Sequence, residues 1–98
     1  MVKHMIIWKL KNDIEDKSKK AAEIKASLEG LVGKIDGLIE MKILTDKFDS
    51  SSGDVMMDST FENNDALKNY QSHPLHKEIA NGIVRPAVSE RLSFDYTV

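Results

Sequence analysis

The chain has 98 residues, of which 41% are apolar and 31% charged, and this composition predicts one globular domain over residues 1–98. A formal net charge of −2 excludes the basic surface of a nucleic-acid-binding protein, and the absence of cysteine excludes disulfides and thiolate sites. Charged residues interrupt the N-terminal apolar residues and no apolar run is long enough for a membrane span, so we expect a cytoplasmic protein with no membrane partner.

The first predicted element is a strand from Val2 to Leu10. Alternate residues of a strand share a face, and here both faces are largely apolar. This pattern indicates a central strand that is covered on both sides. One face holds His4, Ile6, Trp8 and Leu10, and the other holds Met5 and Ile7.

A helical period follows, in which apolar residues recur every three or four positions from about Glu15 to Ile35. Acidic residues open the segment and Gly37 follows it, and both are typical signals at helix ends. We therefore predict one helix over residues 15–35. Its apolar stripe consists of Ala21, Ile24, Leu28, Leu31 and Ile35, widened by Val32.

Two further strands are predicted, from Leu38 to Thr45 and from Val55 to Phe61. The loop Asp49–Gly53 between them consists of turn-forming residues, which predicts an antiparallel hairpin. In the first of these strands Ile39, Met41, Ile43 and Thr45 alternate with Glu40, Lys42 and, as an exception, the apolar Leu44. In the second strand Val55, Met57 and Phe61 share a face.

The sequence from residue 63 to residue 86 predicts two short helices separated by a bend. Residues 63–65 offer N-cap oxygens for a helix that runs through Tyr70. Pro74 cannot continue that helix without a break but suits the first turn of a new one, which we expect to run to about Val84. Pro86 stops the second helix.

The last predicted strand, Arg91 to Val98, completes the order β-α-β-β-α-β. That order predicts an α+β, ferredoxin-like fold, with a four-stranded antiparallel sheet and two helices on one face. The other sheet face would expose apolar side chains, and an apolar area of that size normally finds a partner. We therefore expect a homodimer that packs sheet to sheet. The exposed candidates are Met5, Ile7, Leu92 and Phe94, and on the last strand Leu92, Phe94, Tyr96 and Val98 share a face.

The segment from Tyr70 to His76 carries the side chains most suited to acid–base chemistry. In one interpretation His76 is a general base near neutral pH, and Tyr70 hydrogen-bonds a developing enolate or orients the imidazole. In the other, His76 caps the bend or satisfies buried carbonyls, and Tyr70 is an amphipathic core residue.

The other two histidines have similar alternatives. His4 is either a satisfied core residue or a polar wall of a pocket together with Ile6 and Trp8. His73 either shapes the bend before Pro74 or contacts a ligand. The spacing of the three histidines does not predict a metal site, and no phosphate loop, Rossmann fingerprint or Ser/His/Asp arrangement is present. We expect no cofactor.

Three segments together resemble the dimeric α/β-barrel, or stress-responsive A/B barrel (Dabb), family. They are Val2-Lys3-His4 leading an apolar strand, Tyr70-x-x-His-Pro-x-His76, and the ending Phe94-Asp95-Tyr96. The resemblance covers essentially the whole chain and implies a monomer that dimerises through its sheets, with a pocket between sheet and helices. Some members are polyketide cyclases, in which a Tyr/His pair and an N-terminal strand histidine line the pocket. The matching residues here are Tyr70, His76 and His4.

The chain departs from those cyclases in the polarity of its predicted pocket. The first helix has no aromatic residue, and one face of the last strand carries Arg91, Ser93 and Asp95. If that face turns inward, a smaller or more polar ligand fits better than a long polyketide. The family resemblance also implies a cation at carbonyl groups after the first helix, at the positions of Val32, Ile35 and Leu38.

Two functions follow as alternatives. The first is a dimer that binds a small carbonyl metabolite and uses His76 and Tyr70 for cyclase-like or isomerase-like chemistry. The second is a non-catalytic stress-responsive or ligand-binding homodimer in which the histidines are structural.

Overall fold

The computed structural model describes residues 1–98. Its four strands, β1 (Val2–Leu10), β2 (Leu38–Leu44), β3 (Val55–Phe61) and β4 (Val88–Thr97), form one antiparallel sheet in the order β2-β3-β1-β4. With helices packed against it, this is the ferredoxin-like α+β fold that the sequence predicts. A π-helical turn, Ala80–Val84, and a 3₁₀ turn, Arg85–Ala87, precede the last strand. The helices are α1 (Lys17–Glu29), α2 (Asn64–Ser72) and α3 (Pro74–Ile79).

Strand β1 is central, as predicted, because it pairs with β3 on one side and with β4 on the other. The prediction that both of its faces are covered is wrong for the single chain, because Ile7 on the face away from the helices is 44% exposed. Its helix-facing residues, His4, Ile6, Trp8 and Leu10, are all buried. Ile6, Trp8 and Leu10 belong to a core of 18 apolar residues. Burial of one large aliphatic side chain contributes roughly 1.5–3 kcal/mol, so this layer between sheet and helices supplies most of the stabilisation.

Helix α1 ends at Glu29, so the prediction that it continues to Ile35 is wrong. Asp16 caps its start by accepting the Lys19 N–H at 3.0 Å, and the Gly30 N–H donates to the Ala26 carbonyl at its end. Beyond Gly30 the chain makes successive turns, and Gly33 adopts a φ of +88° that a helix cannot accommodate. The turns still bury Leu31 and Ile35, but Val32 is 43% exposed, so it does not widen the apolar stripe.

Gly37 ends this run of turns where the chain enters β2. Its φ is +83°, in the left-handed region that favours glycine. A Cβ at Gly37 would lie 2.4 Å from the Cβ of Ala66 in α2. Glycine therefore permits both the turn and the close approach of α2 to the sheet.

The edge strand β2 is bulged and tied to α1. The register shifts between Leu38 and Glu40, and as a result Ile39 is exposed rather than aligned with the buried Met41 and Ile43. The Glu29 carboxylate accepts the Ile43 N–H at 2.9 Å, and Lys25 Nζ donates to the Ile43 carbonyl at 2.9 Å. These bonds occupy backbone groups that an edge strand would otherwise leave open.

The bend between α2 and α3 lies where the sequence predicts it, with His73 between Ser72 and Pro74. The second helix differs from the prediction because only Pro74–Ile79 is α-helical and the next turn is wider. Strand β4 starts at Val88, three residues before the predicted Arg91. No helix has the length and apolarity needed to cross a membrane.

The sheet face away from the helices is open and largely apolar. Ile7, Leu92, Phe94 and Tyr96 are all more than 40% exposed, and the register places them side by side on β1 and β4. A Lys3–Asp58 ion pair of 2.7 Å lies on the same face. The face predicted to be uncovered is therefore uncovered in the monomer.

Candidate functional site

A groove of about 350 Å³ lies between the helix-facing side of β1 and β4 and the segment from α3 to the 3₁₀ turn. Its size falls within the range of small-ligand sites. Four of the site residues proposed from the sequence line it, namely His4, Ile6, Trp8 and His76. The remaining lining residues are Met57, Gln71, Ala80, Val84, Arg85 and Arg91.

A larger recess of about 710 Å³ lies elsewhere, along the start of α1. It is lined by residues of one short stretch, 14–23, and five of its six lining residues are charged. Because all of its lining residues lie within that stretch, the recess brings together no residues that are distant in the sequence. The smaller groove is the better candidate because it joins several elements and contains histidines.

Tyr70 and His76 come together at the inner wall of the groove. Their ring centroids are 4.2 Å apart and their planes are tilted by 41°. Tyr70 belongs to α2 and His76 to α3, so the break at Pro74 is what brings the two rings into contact. Tyr70 itself lies behind the groove lining, against Phe61 at 5.0 Å between centroids.

This pair contains two buried polar atoms without hydrogen-bond partners, the Tyr70 hydroxyl and His76 Nδ1. Burial raises the pKa of the Tyr70 phenol. Burial also lowers the pKa of His76, helped by the charges of His4, Arg85 and Arg91, while the backbone of Gln71 acts in the opposite direction. At neutral pH the pair therefore combines a neutral imidazole with a protonated phenol.

His4 is held in place from two directions. Its Nδ1 pairs with the Asp95 carboxylate on β4, and Ser59 donates a hydrogen bond of 2.6 Å to its backbone carbonyl. The side chain is 2% exposed. A carboxylate on Nδ1 fixes the orientation of the ring, so His4 is a rigid polar element of the groove wall.

His73 lies outside the groove and caps a helix. Its Nδ1 accepts the Leu75 N–H at 3.1 Å, and its own N–H donates to the Tyr70 carbonyl. His73 therefore shapes the bend before Pro74, which is the first of the two alternatives for this residue. It does not line the groove with His4 and His76.

The groove also contains functional groups that the sequence reasoning did not single out, Arg85 and Gln71. Arg91 was noted only as part of a polar face. The pairing of Trp8 with Arg91 and of His4 with Asp95 shows that this face does turn to the helix side. The sequence does mark these two positions in one respect, because Arg85 and Arg91 are the only arginines of the chain.

No group of three or more His, Asp or Glu side chains is placed to hold a metal ion. At the turn after α1, the Ile35 carbonyl accepts the Leu38 N–H at 3.2 Å. A cation bound by the carbonyls of Val32, Ile35 and Leu38 stays a prediction.

The chain matches the family model described as the stress responsive A/B barrel domain (Dabb) over residues 2–98. A dimeric protein of unknown function with a ferredoxin-like fold from Bacteroides fragilis is 27% identical, with a TM-score of 0.89 over 99% of this chain and 95% of that one. A protein from Arabidopsis thaliana is 24% identical, with a TM-score of 0.83 over 100% of this chain and 95% of that one.

A third similar structure is a hydroxynitrile lyase from Passiflora edulis. It is 20% identical, with a TM-score of 0.82 over 99% of this chain and 92% of that one, and this likeness is one of fold alone. A comparison with curated protein sequences finds no match.

Proposed function

This chain belongs to the stress responsive A/B barrel domain family, and on that premise we propose that it binds a small carbonyl metabolite in the groove and moves a proton on it. His76 is the general base, and Tyr70 orients its imidazole. His4, Ile6 and Trp8 contact the ligand, and no cofactor takes part. The proposal also includes a cytoplasmic homodimer, formed by one domain from each chain.

The Tyr70–His76 pair is the observation that carries this proposal. A buried donor or acceptor without a partner costs about 1–3 kcal/mol, and here two of them lie side by side at a groove. Native structures rarely retain such atoms without a use. Of this pair the His76 ring lines the groove, so a bound ligand meets the pair at His76.

The protonation states of the pair suit removal of a proton next to a carbonyl. The neutral imidazole of His76 takes the proton from the carbon, and the bonding electrons move to the carbonyl oxygen to form an enolate. Tyr70 packs against the His76 ring from behind the groove lining, so its role in this step is to orient the imidazole. Return of the proton to the same face of that carbon gives exchange with solvent, its return to the opposite face gives a racemisation, and its return to a different atom of the enolate gives an isomerisation, in each case without any co-reactant.

The His4–Asp95 pair supports a positioning role beside this chemistry. His4 lines the same groove as His76, and Asp95 fixes its ring. An oriented imidazole is a hydrogen-bond partner of defined direction for a polar ligand.

Proton exchange with solvent tests the proposal directly. A panel of small ketones, β-keto esters and keto acids is incubated with the protein in D₂O, and deuterium incorporation next to the carbonyl is followed by proton NMR. We expect exchange above the buffer rate for at least one compound. His76→Gln should reduce its rate roughly 100-fold or more, in line with the usual contribution of a general base.

His73→Gln is the matched control, because His73 lies outside the groove. Its exchange rate should stay within about twofold of the native rate, the variation expected for a residue with no part in the proton transfer. Exchange by the native protein that His76→Gln does not reduce would reject His76 as the base.

The second candidate function is a non-catalytic ligand-binding homodimer. The hydrogen bonds that hold His4 and His73 favour it, because both histidines have structural contacts. In this case no compound of the panel shows exchange, and His76→Ala lowers the melting temperature sharply.

A further inference from the structure

We propose that Arg85 and Arg91 form an anion-binding end of the groove that recognises a carboxylate on the ligand. This inference deepens the proposed function and rests on it, since it narrows the carbonyl metabolite to a small keto acid. The supporting observation is that both arginines line the groove whose inner wall carries His76 and His4.

The two arginines border the same space from different elements. Arg85 opens the 3₁₀ turn and Arg91 lies on β4, opposite Trp8 of β1. Both also line a smaller adjoining recess of about 230 Å³, together with Trp8 and Val84. Their side chains therefore converge on one end of the groove from two sides.

Neither guanidinium is neutralised within the chain. None of the salt bridges includes an arginine, and the hydrogen bond formed by Arg85 goes to the uncharged Asn81 amide oxygen at 2.8 Å. Asp95 is already paired with His4, and Glu90 borders only the smaller recess. An anion that enters the groove meets two cations without carboxylate partners.

The residue type is informative as well. The chain has no other arginine, and no lysine lines the groove. A guanidinium binds a carboxylate with two parallel N–H donors and so fixes its orientation, which an ammonium group does not. Arginine at both positions therefore suits recognition of a planar carboxylate more than general attraction of anions.

The rest of the lining suits the remainder of a keto acid. Ile6, Trp8 and Met57 provide an apolar wall for a short carbon chain. With its carboxylate at the arginines, the ligand directs its carbonyl along the groove towards His76. The groove volume of about 350 Å³ suits a ligand of this size better than a long chain.

A titration with two matched compounds tests this inference through binding alone. Pyruvate and its neutral amide, pyruvamide, have almost the same shape and differ in charge. Each is titrated at neutral pH into protein labelled with nitrogen-15, and the side-chain N–H signals of Arg85 and Arg91 are followed. Inorganic phosphate serves as a third titrant, because its geometry differs from that of a carboxylate.

We expect saturable shifts with pyruvate and none with pyruvamide. Arg85→Gln and Arg91→Gln should each weaken pyruvate binding roughly fivefold or more, the effect expected for a partly exposed charged hydrogen bond. Lys34→Gln removes the same charge from the exposed turn after α1 and should leave the affinity unchanged. Arg91→Lys should restore the charge but not the full affinity.

Several results would overturn the inference. Equal binding of pyruvate and pyruvamide, no saturable shift with pyruvate, or tighter binding of phosphate than of pyruvate would each reject carboxylate recognition. Failure of the proposed function looks different. In that event pyruvate still binds through the arginines, but no proton exchange depends on His76.

Discussion

The Tyr70 hydroxyl and His76 Nδ1 lie in the protein interior, yet neither has a hydrogen-bond partner. Their environment is aromatic, with Phe61 on the far side of Tyr70. At the scale of single residues, this is a local cost to stability at the place where a groove opens. If Tyr70 had only a structural role, phenylalanine at this position would make the fold more stable. The presence of the hydroxyl in spite of its cost to stability therefore favours a functional role.

Tyr70→Phe should therefore not destabilise the fold. Removing an unpaired buried hydroxyl should raise the free energy of unfolding by about 1 kcal/mol, and urea denaturation at fixed protein concentration measures this. Under the proposed function the same variant exchanges protons more slowly than the native protein. A loss of more than about 1 kcal/mol of stability would show that the hydroxyl has a partner in solution.

His76 makes stability depend on pH in a defined direction. Its pKa in the folded chain lies below the usual value of 6.5, so the unfolded chain takes up a proton first as the pH falls. The contribution of the neutral His76 ring to the free energy of unfolding is complete above pH 6.5. It is lost as the pH falls from there to the lowered pKa of His76. Urea unfolding at several pH values should show this decline, and His76→Gln should flatten it. An unchanged decline in His76→Gln would assign the effect to other groups.

At the scale of elements, the position of α2 depends on the turns after α1. Gly33 and Gly37 have nearly the same positive φ, 88° and 83°. A Cβ at Gly33 would meet nothing within 4 Å, whereas one at Gly37 would lie 2.4 Å from Ala66. The two glycines share one backbone requirement, and only Gly37 adds a packing requirement.

Alanine at these two positions should separate the two effects. Gly33→Ala should cost about 1 kcal/mol of unfolding free energy through backbone strain alone. Gly37→Ala should cost about 2–4 kcal/mol, since a clash in a packed region is added to the same strain. Thermal or urea denaturation of both variants measures the difference. Equal losses of unfolding free energy in the two variants would show that α2 moves away from the new Cβ at position 37 without cost.

The π-helical turn after α3 is a second feature that belongs to the scale of elements. The π-helical segment Ala80–Val84 directly follows α3, the helix that carries His76, and its residues Ala80 and Val84 line the groove. A π-turn inserts extra chain into a helix and redirects the residues that follow. Here it leads into Arg85, so the irregular turn helps to bring that guanidinium to the groove.

At the scale of the whole molecule, the open sheet face is the feature that a single chain leaves incomplete. Apolar side chains of β1 and β4 form a continuous exposed patch, with Leu92 at 73% and Phe94 at 70% exposure. Packing two such faces together would remove the patch from water and leave the groove, on the opposite side of the sheet, accessible.

Disruption of this patch should yield monomers. Phe94→Glu places a charge in the middle of the proposed interface, and sedimentation at micromolar concentration should show a homodimer for the native chain and a monomer for the variant. Ser93→Glu is the matched control, because Ser93 is the neighbouring residue on the opposite face and should leave the dimer intact. A native monomer would contradict the proposed assembly.

Much of the fold follows from the sequence because it depends on local periodicity. The alternation in β1 and the proline at position 74 predict a central strand and a helix bend, and the structure has both. The end of α1 does not follow in the same way, because Leu31 and Ile35 keep helical spacing and stay buried in turns. Periodicity reports which residues are buried, and several backbone paths bury the same residues.

The composition of the groove was decided by tertiary structure. His4 and Asp95 are 91 positions apart and meet only because β1 and β4 are adjacent and in register. Arg85 reaches the same groove through an irregular turn that no sequence period describes. The sequence by itself determined the elements, their order and the open sheet face, since these arise from neighbouring residues. Only the packed structure decided which distant side chains share the groove, because strand register and the bend at Pro74 set those contacts.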